Sequence, residues 1–81
     1  MSNTILLKDF LAKFGQKVKC ERELRGYTLD DLEFYTSIDS SDINKIELGQ
    51  KNITLKTLLK IANGLKMHPK ELLDIEFNIP Q

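Results

Sequence analysis

The nucleophile and metal-ligand chemistry of this chain rests on Cys20 and His68, and their setting denies them both roles. Nucleophilic catalysis needs a base within reach of the nucleophile, and no convincing Cys/His or Ser/His set forms. A metal site needs several ligands, which one histidine and one distant cysteine do not supply. The four glycines are scattered, so there is no phosphate-cradling loop. His68 therefore reads as a surface or capping residue and Cys20 as an ordinary helix residue. No enzyme activity, cofactor or metal is expected. The denser chemistry is hydrogen bonding. Asp39-Ser40-Ser41-Asp42, then Asn44-Lys45, then Gln50-Lys51-Asn52 crowd donors and acceptors into one short stretch.

The elements that position that stretch follow from composition and spacing. With 81 residues the chain is long enough for one domain with a modest core. Hydrophobic residues at 41% and charged residues at 30% suit a soluble globular chain. Four Gly and two Pro are few for a turn-rich β fold, and Leu, Lys, Glu and Ile favour helices. No apolar run approaches the length of a membrane span or a signal-peptide core. A lone cysteine cannot form an internal disulfide, which fits a reducing compartment, so a cytoplasmic location is expected. Lys and Arg number 12, as do Asp and Glu, for a net charge of zero. A phosphate-binding role would require the cations to be unevenly placed.

Five helical segments are predicted. The first runs from about Asn3 or Thr4 to Arg25, with Leu6, Leu7, Phe10, Leu11, Phe14 and Val18 in one stripe. Gly15 inside it is a candidate bend or break, and Gly26 is a suitable stop. Thr28 caps the second, Leu29 to Thr36, with Asp31 completing a short capping box and Leu32 and Tyr35 facing inward. The third starts at Asp39 or Ser40 and stops at Gly49, with Ile43 and Ile46 inward. Asp39 and Asp42 read as caps of this helix. Thr54 caps the fourth, Leu55 to Asn63, whose apolar face is Leu55, Leu58, Leu59 and Ala62 and whose stop is Gly64. Pro69 opens a short fifth helix ending near Asp74. The alternating tail Ile75 to Ile79 fits a short strand, a docking arm or a dimer contact.

Several pieces in order carry a resemblance. They are Val18 and Arg22, Arg25-Gly26-Tyr27-Thr28, Asp30-Asp31-Leu32, and the run Ile43-Asn44-Lys45-Ile46-Glu47-Leu48-Gly49. Asn52 with Thr54-Leu55, Leu58 to Ala62, Leu65 and Glu71-Leu72 complete the set. From Gly15 to Leu73 the chain thus resembles the Cro and lambda-repressor-like (XRE-type) helix-turn-helix family. The resemblance implies an all-α, five-helix domain flanked by a short N-terminal helical extension and a C-terminal tail. It implies a sequence-specific DNA-binding transcriptional regulator, phage repressor-like, restriction-modification controller-like or antitoxin-like. The helix at about residues 40–48 would enter the major groove of double-stranded DNA, about 12 Å wide. In that frame Ser40, Ser41, Asp42, Asn44 and Lys45 are candidates for base contacts, Asn44 by a paired contact to adenine. Lys17, Lys19, Gln50, Lys51 and Asn52 are candidates for the DNA backbone. Arg22 and Glu47 are implied to form a structural ion pair that orients the recognition helix.

The chain departs from the family pattern at Leu29, where phosphate-contacting Gln is frequent, at Glu33, where Ala is usual, and at Ser40 and Asp42. These changes weaken the phosphate grip. With the zero net charge they keep open a protein-interaction or antitoxin-like module, with a protein partner and weak DNA binding. A homodimer through the C-terminal region is expected. One such domain reaches one half-site, and Leu65, Met67, Leu72, Leu73, Ile75, Phe77 and Ile79 exceed what a small core absorbs. The rival reading folds the tail back onto its own core.

Overall fold

The computed structural model describes residues 4–77 and is all-helical there. The elements are α1 (Leu7–Leu24), α2 (Leu29–Thr36), α3 (Ser40–Glu47), α4 (Leu55–Leu65) and α5 (Pro69–Leu72). Each of these amphipathic segments must bury its apolar stripe, and the stripes meet in one core. Phe14, Val18, Leu32, Ile43, Ile46, Leu58, Ile61, Ala62, Leu65 and Leu72 form it. A fully buried Leu or Ile contributes roughly 1.5–3 kcal/mol, so the core draws on every helix. Thr28 and Asp31 make the predicted capping box of α2. His68 Nδ1 accepts from the Lys70 N–H at 3.3 Å and the Glu71 carboxylate accepts from the His68 N–H, which caps α5.

Several sequence expectations need correction. α1 starts at Leu7, not at Asn3 or Thr4, and Leu6 and Leu7 are exposed. The stripe there runs past the core that it would cover. α1 also continues unbroken through Gly15. That glycine serves contact rather than bending: a Cβ there would overlap the carbonyl oxygens of Ile46 and Glu47. α4 does not stop at Gly64 but runs to Leu65, and Lys66 takes the left-handed turn at φ 56°. Gly64 is inside the helix because a Cβ there would press on Thr36 Cγ2, where α2 and α4 cross. Tyr35, Leu55 and Leu59 do not face inward. They are exposed, Leu55 by 79%.

No strand forms in the described part of the tail, whose Ile79 lies outside the described residues. Ile75 packs against the core. The Phe77 ring stacks on Phe10 at 5.6 Å, with Lys13 Nζ 5.1 Å from the same ring. Lys13 also donates to the Glu76 carbonyl at 2.7 Å. The tail as far as Phe77 therefore folds back along α1, the rival of the two readings.

Candidate nucleic-acid interface

The site is built around α3, and its anchor is the residue pair at its C-terminal end. Arg22 of α1 donates from Nε to Glu47 Oε2 at 2.7 Å and from Nη2 to Oε1 at 3.0 Å. Its third donor, Nη1, reaches the Tyr27 carbonyl at 2.8 Å. Both side chains are buried, so the two parallel bonds form away from competing water. The Glu47 carboxylate, above all, raises the Arg22 pKa further and keeps it cationic. Beside this pair Gly49 turns the chain at φ +74°, and its N–H donates to the Ile46 carbonyl while the Gln50 N–H donates to Lys45. This double closure favours glycine. A Cβ on Gly49 would also press on Ala12, so α1 and α3 approach closely along the whole seam.

Anchored from behind, α3 presents its other face to solvent. Ser41, Asn44 and Lys45 are exposed and stand at the i, i+3, i+4 spacing of one helix face, with Ser40 half-buried beside them. Leu48, 57% exposed, continues that face and was not singled out from the sequence. Its position seven residues beyond Ser41 is the signal that would have found it. Gln50, Lys51 and Asn52 are all exposed in the loop after α3.

The remaining candidates are placed differently. Asp42 and Lys51, assigned to a base and to the backbone, are paired with each other at 3.1 Å. Asp39 makes no side-chain cap, contrary to its sequence reading. The Ser40 N–H instead donates to Glu33 Oε1 at 2.8 Å, so the cap comes from α2. Sequence reasoning treated Glu33 only as a departure, because a cap supplied from another helix has no local spacing. Leu29, another of the departures, packs against the core. Lys17 is paired with Glu21 at 3.2 Å and lies beside Asp74, Ile75 and Glu76. Lys19 lies beside Cys20 and Leu24 on the outside of α1. Neither shares the cleft that holds Asp42, Lys51 and Asn52.

That cleft carries both charge signs. Asp30, Glu33, Asp39 and Asp42 line it opposite Lys51 and Lys60. Lys45 makes no ion pair among the described residues, so its charge is available to a ligand. Among those residues no group of three or more His, Cys, Asp and Glu side chains is placed to hold a metal, and no helix is long and apolar enough to cross a membrane.

Comparison with known proteins agrees with this geometry. The helix-turn-helix domain family matches residues 15–76. The control protein C.BamHI of Bacillus amyloliquefaciens is 36% identical over 62 residues, spanning 75% of this chain and 76% of that protein. The crystal structure of the restriction-modification controller protein C.AhdI from Aeromonas hydrophila superposes with a TM-score of 0.75 at 37% identity, covering 76% of this chain and 94% of that one. The controller protein C.Esp1396I gives 0.72 at 31% identity, over 79% of this chain and 86% of its own. With the anchored, outward-facing α3, these matches show that the chain belongs to the XRE-type helix-turn-helix family of DNA-binding transcriptional regulators, alongside the restriction-modification controller proteins.

Proposed function

We propose that this protein is a cytoplasmic, sequence-specific regulator of the restriction-modification controller kind, with α3 lying in the major groove. The observation that carries this reading is the exposed set Ser41, Asn44 and Lys45 on a helix whose far end is locked by Arg22 and Glu47. Asn44 is the adenine reader, Ser40 and Ser41 are adaptable partners, and Lys45 reaches guanine or phosphate. Lys51, Gln50 and Asn52 meet the DNA backbone, and Asp42 releases Lys51 when phosphate takes its place. Lys17 and Lys19 contribute little, being paired or placed away from this cleft.

The test is a mobility shift on a site selected from a random pool and on random duplex. Asn44→Ala is expected to cost about 1–3 kcal/mol on the selected site and nothing on random DNA, while Lys51→Ala weakens both alike. Equal behaviour of Asn44→Ala and the parent on both duplexes removes Asn44 as a reader.

We also infer a homodimer, since two half-sites need two copies. The surface differs from the one expected from sequence. Leu65 and Leu72 are buried and the tail is folded back, which leaves Leu73 exposed beside Leu55, with Leu59 on the next turn of α4. A two-fold contact pairs this apolar face with itself. Leu55→Lys with Leu59→Lys is expected to leave a folded monomer in sedimentation. A dimer that survives both changes rejects this face.

A second reading, a protein-interaction module with weak DNA binding, is favoured by Phe34. The residue is 80% exposed, its ring edge-on to Tyr35, on the cleft that Asp30 and Glu33 line. Failure of the mobility shift at low salt would bring it forward.

A further inference from the structure

The turn between α2 and α3 spans Ser37 to Asp39 and is flanked by the buried Leu32 of α2 and Ile43 of α3. Ser37 and Asp39 are exposed, and only Ile38 packs against the core. Hydrogen bonds hold the turn as well, and their acceptors lie on α2. The Glu33 carbonyl accepts from the Ser37 N–H at 2.8 Å. Thr36 Oγ1 accepts from the Ile38 N–H at 3.2 Å while donating to the Leu32 carbonyl. The Glu33 carboxylate accepts from the Ser40 N–H at 2.8 Å. That N–H opens α3 and has no partner within its own helix.

We propose that Glu33 is a positioning residue for sequence recognition: its carbonyl closes α2, its carboxylate holds the first turn of α3, and the angle at which Ser41, Asn44 and Lys45 are presented follows. The inference rests on the DNA-binding reading above. Two physical points support it. A carboxylate is favoured at a helix N-terminus by both charge and hydrogen bonding. The reach from α2 across the turn also suits Glu, because Asp is one methylene shorter. The arrangement leaves the Ser40 and Ser41 hydroxyls out of capping, and neither makes a cap hydrogen bond among the described residues. A carboxylate beside phosphate weakens binding to every sequence alike. A fixed presentation angle changes only discrimination between sequences, so the two effects can be separated.

The full chain is compared with Glu33→Ala, Glu33→Asp and Glu33→Gln. The first readout is the ratio of affinities for a selected duplex and a random one. The second is amide exchange at Ser40 without DNA. Gln keeps the acceptor and the reach but not the charge. E33Q should therefore preserve the ratio while binding both duplexes more tightly. E33A and E33D should each lower the ratio about fivefold to tenfold, the size of a lost cap, and should speed exchange at Ser40. The proposal is overturned if E33A keeps the parent ratio, if E33Q falls with E33A, or if exchange at Ser40 is unmoved. If the parent itself shows no discrimination, the DNA reading fails, and Ser40 exchange alone decides whether Glu33 holds the turn.

Discussion

The two ends of α3 are held by opposite means. At the C-terminal end, Arg22 and Glu47 are buried and bonded through two parallel contacts, Gly49 closes the last turn, and Gly15 lets α1 lie against the Ile46 and Glu47 carbonyls. At the N-terminal end, a single carboxylate from α2 holds the first N–H, Ser41 is exposed and Ser40 half-buried. Buried contacts fix where the helix sits, at considerable cost if broken. Part-buried hydrogen bonds from α2 hold the N-terminal end, beside its exposed polar face. The proposed role of α3 in reading DNA needs both, because side chains that meet DNA cannot also be buried in the core.

This contrast can be broken most sharply at Gly15. Gly15→Ala must push α1 away from α3, and with backbone atoms on both sides no side chain can yield, so a loss of about 4 kcal/mol is expected. Gly26 is the control: its φ is positive but nothing lies within 4 Å of a Cβ there, and Gly26→Ala should cost only about 1 kcal/mol. Equal denaturant midpoints for the two variants would mean that the seam is looser than its geometry.

Arg22→Ala comes next. It leaves the Glu47 carboxylate buried without its counter-charge, and a loss of about 3 kcal/mol in the same melts is expected. A change as small as that of an exposed lysine would show that the pair carries no structural role.

Of the contacts that hold α3, those at its N-terminal end carry the smallest effect. Thr36→Val keeps the shape but strips the acceptor from the Ile38 N–H, which should cost about 1–2 kcal/mol. Its exchange rate should rise at Ile38 with the α1–α3 seam unchanged. If protection is lost at Ile46 and Glu47 as well, the two ends are one cooperative unit and the contrast drawn above is wrong.

Much of this was legible in the residues. Helical spacing, Thr28, Thr54, Gly26 and Pro69 placed the helices to within a few positions, and the run Ile43 to Gly49 carried the resemblance that makes α3 the candidate reading element. The Arg22–Glu47 pair, implied by resemblance, is present with both bonds. Three things were not legible. Glu33 acts across a turn, at a distance in sequence with no periodic signature. Leu55 and Leu59 fit an apolar helix face, yet whether such a face is covered depends on which neighbour is long enough to reach it. Asp42 and Lys51 were given separate partners because nothing local says that a loop folds back beside its own helix.

The sequence by itself therefore determined the number and type of the elements, since periodicity and capping are local and act within a few residues. It also determined which segment carries the donors and acceptors. Only the tertiary structure decided the role of Gly15 and Gly64, the fate of the tail on Phe10, and the source of the cap on α3. Each of these depends on two different elements arriving at one place, and close approach is a property of the pair, written in neither segment alone.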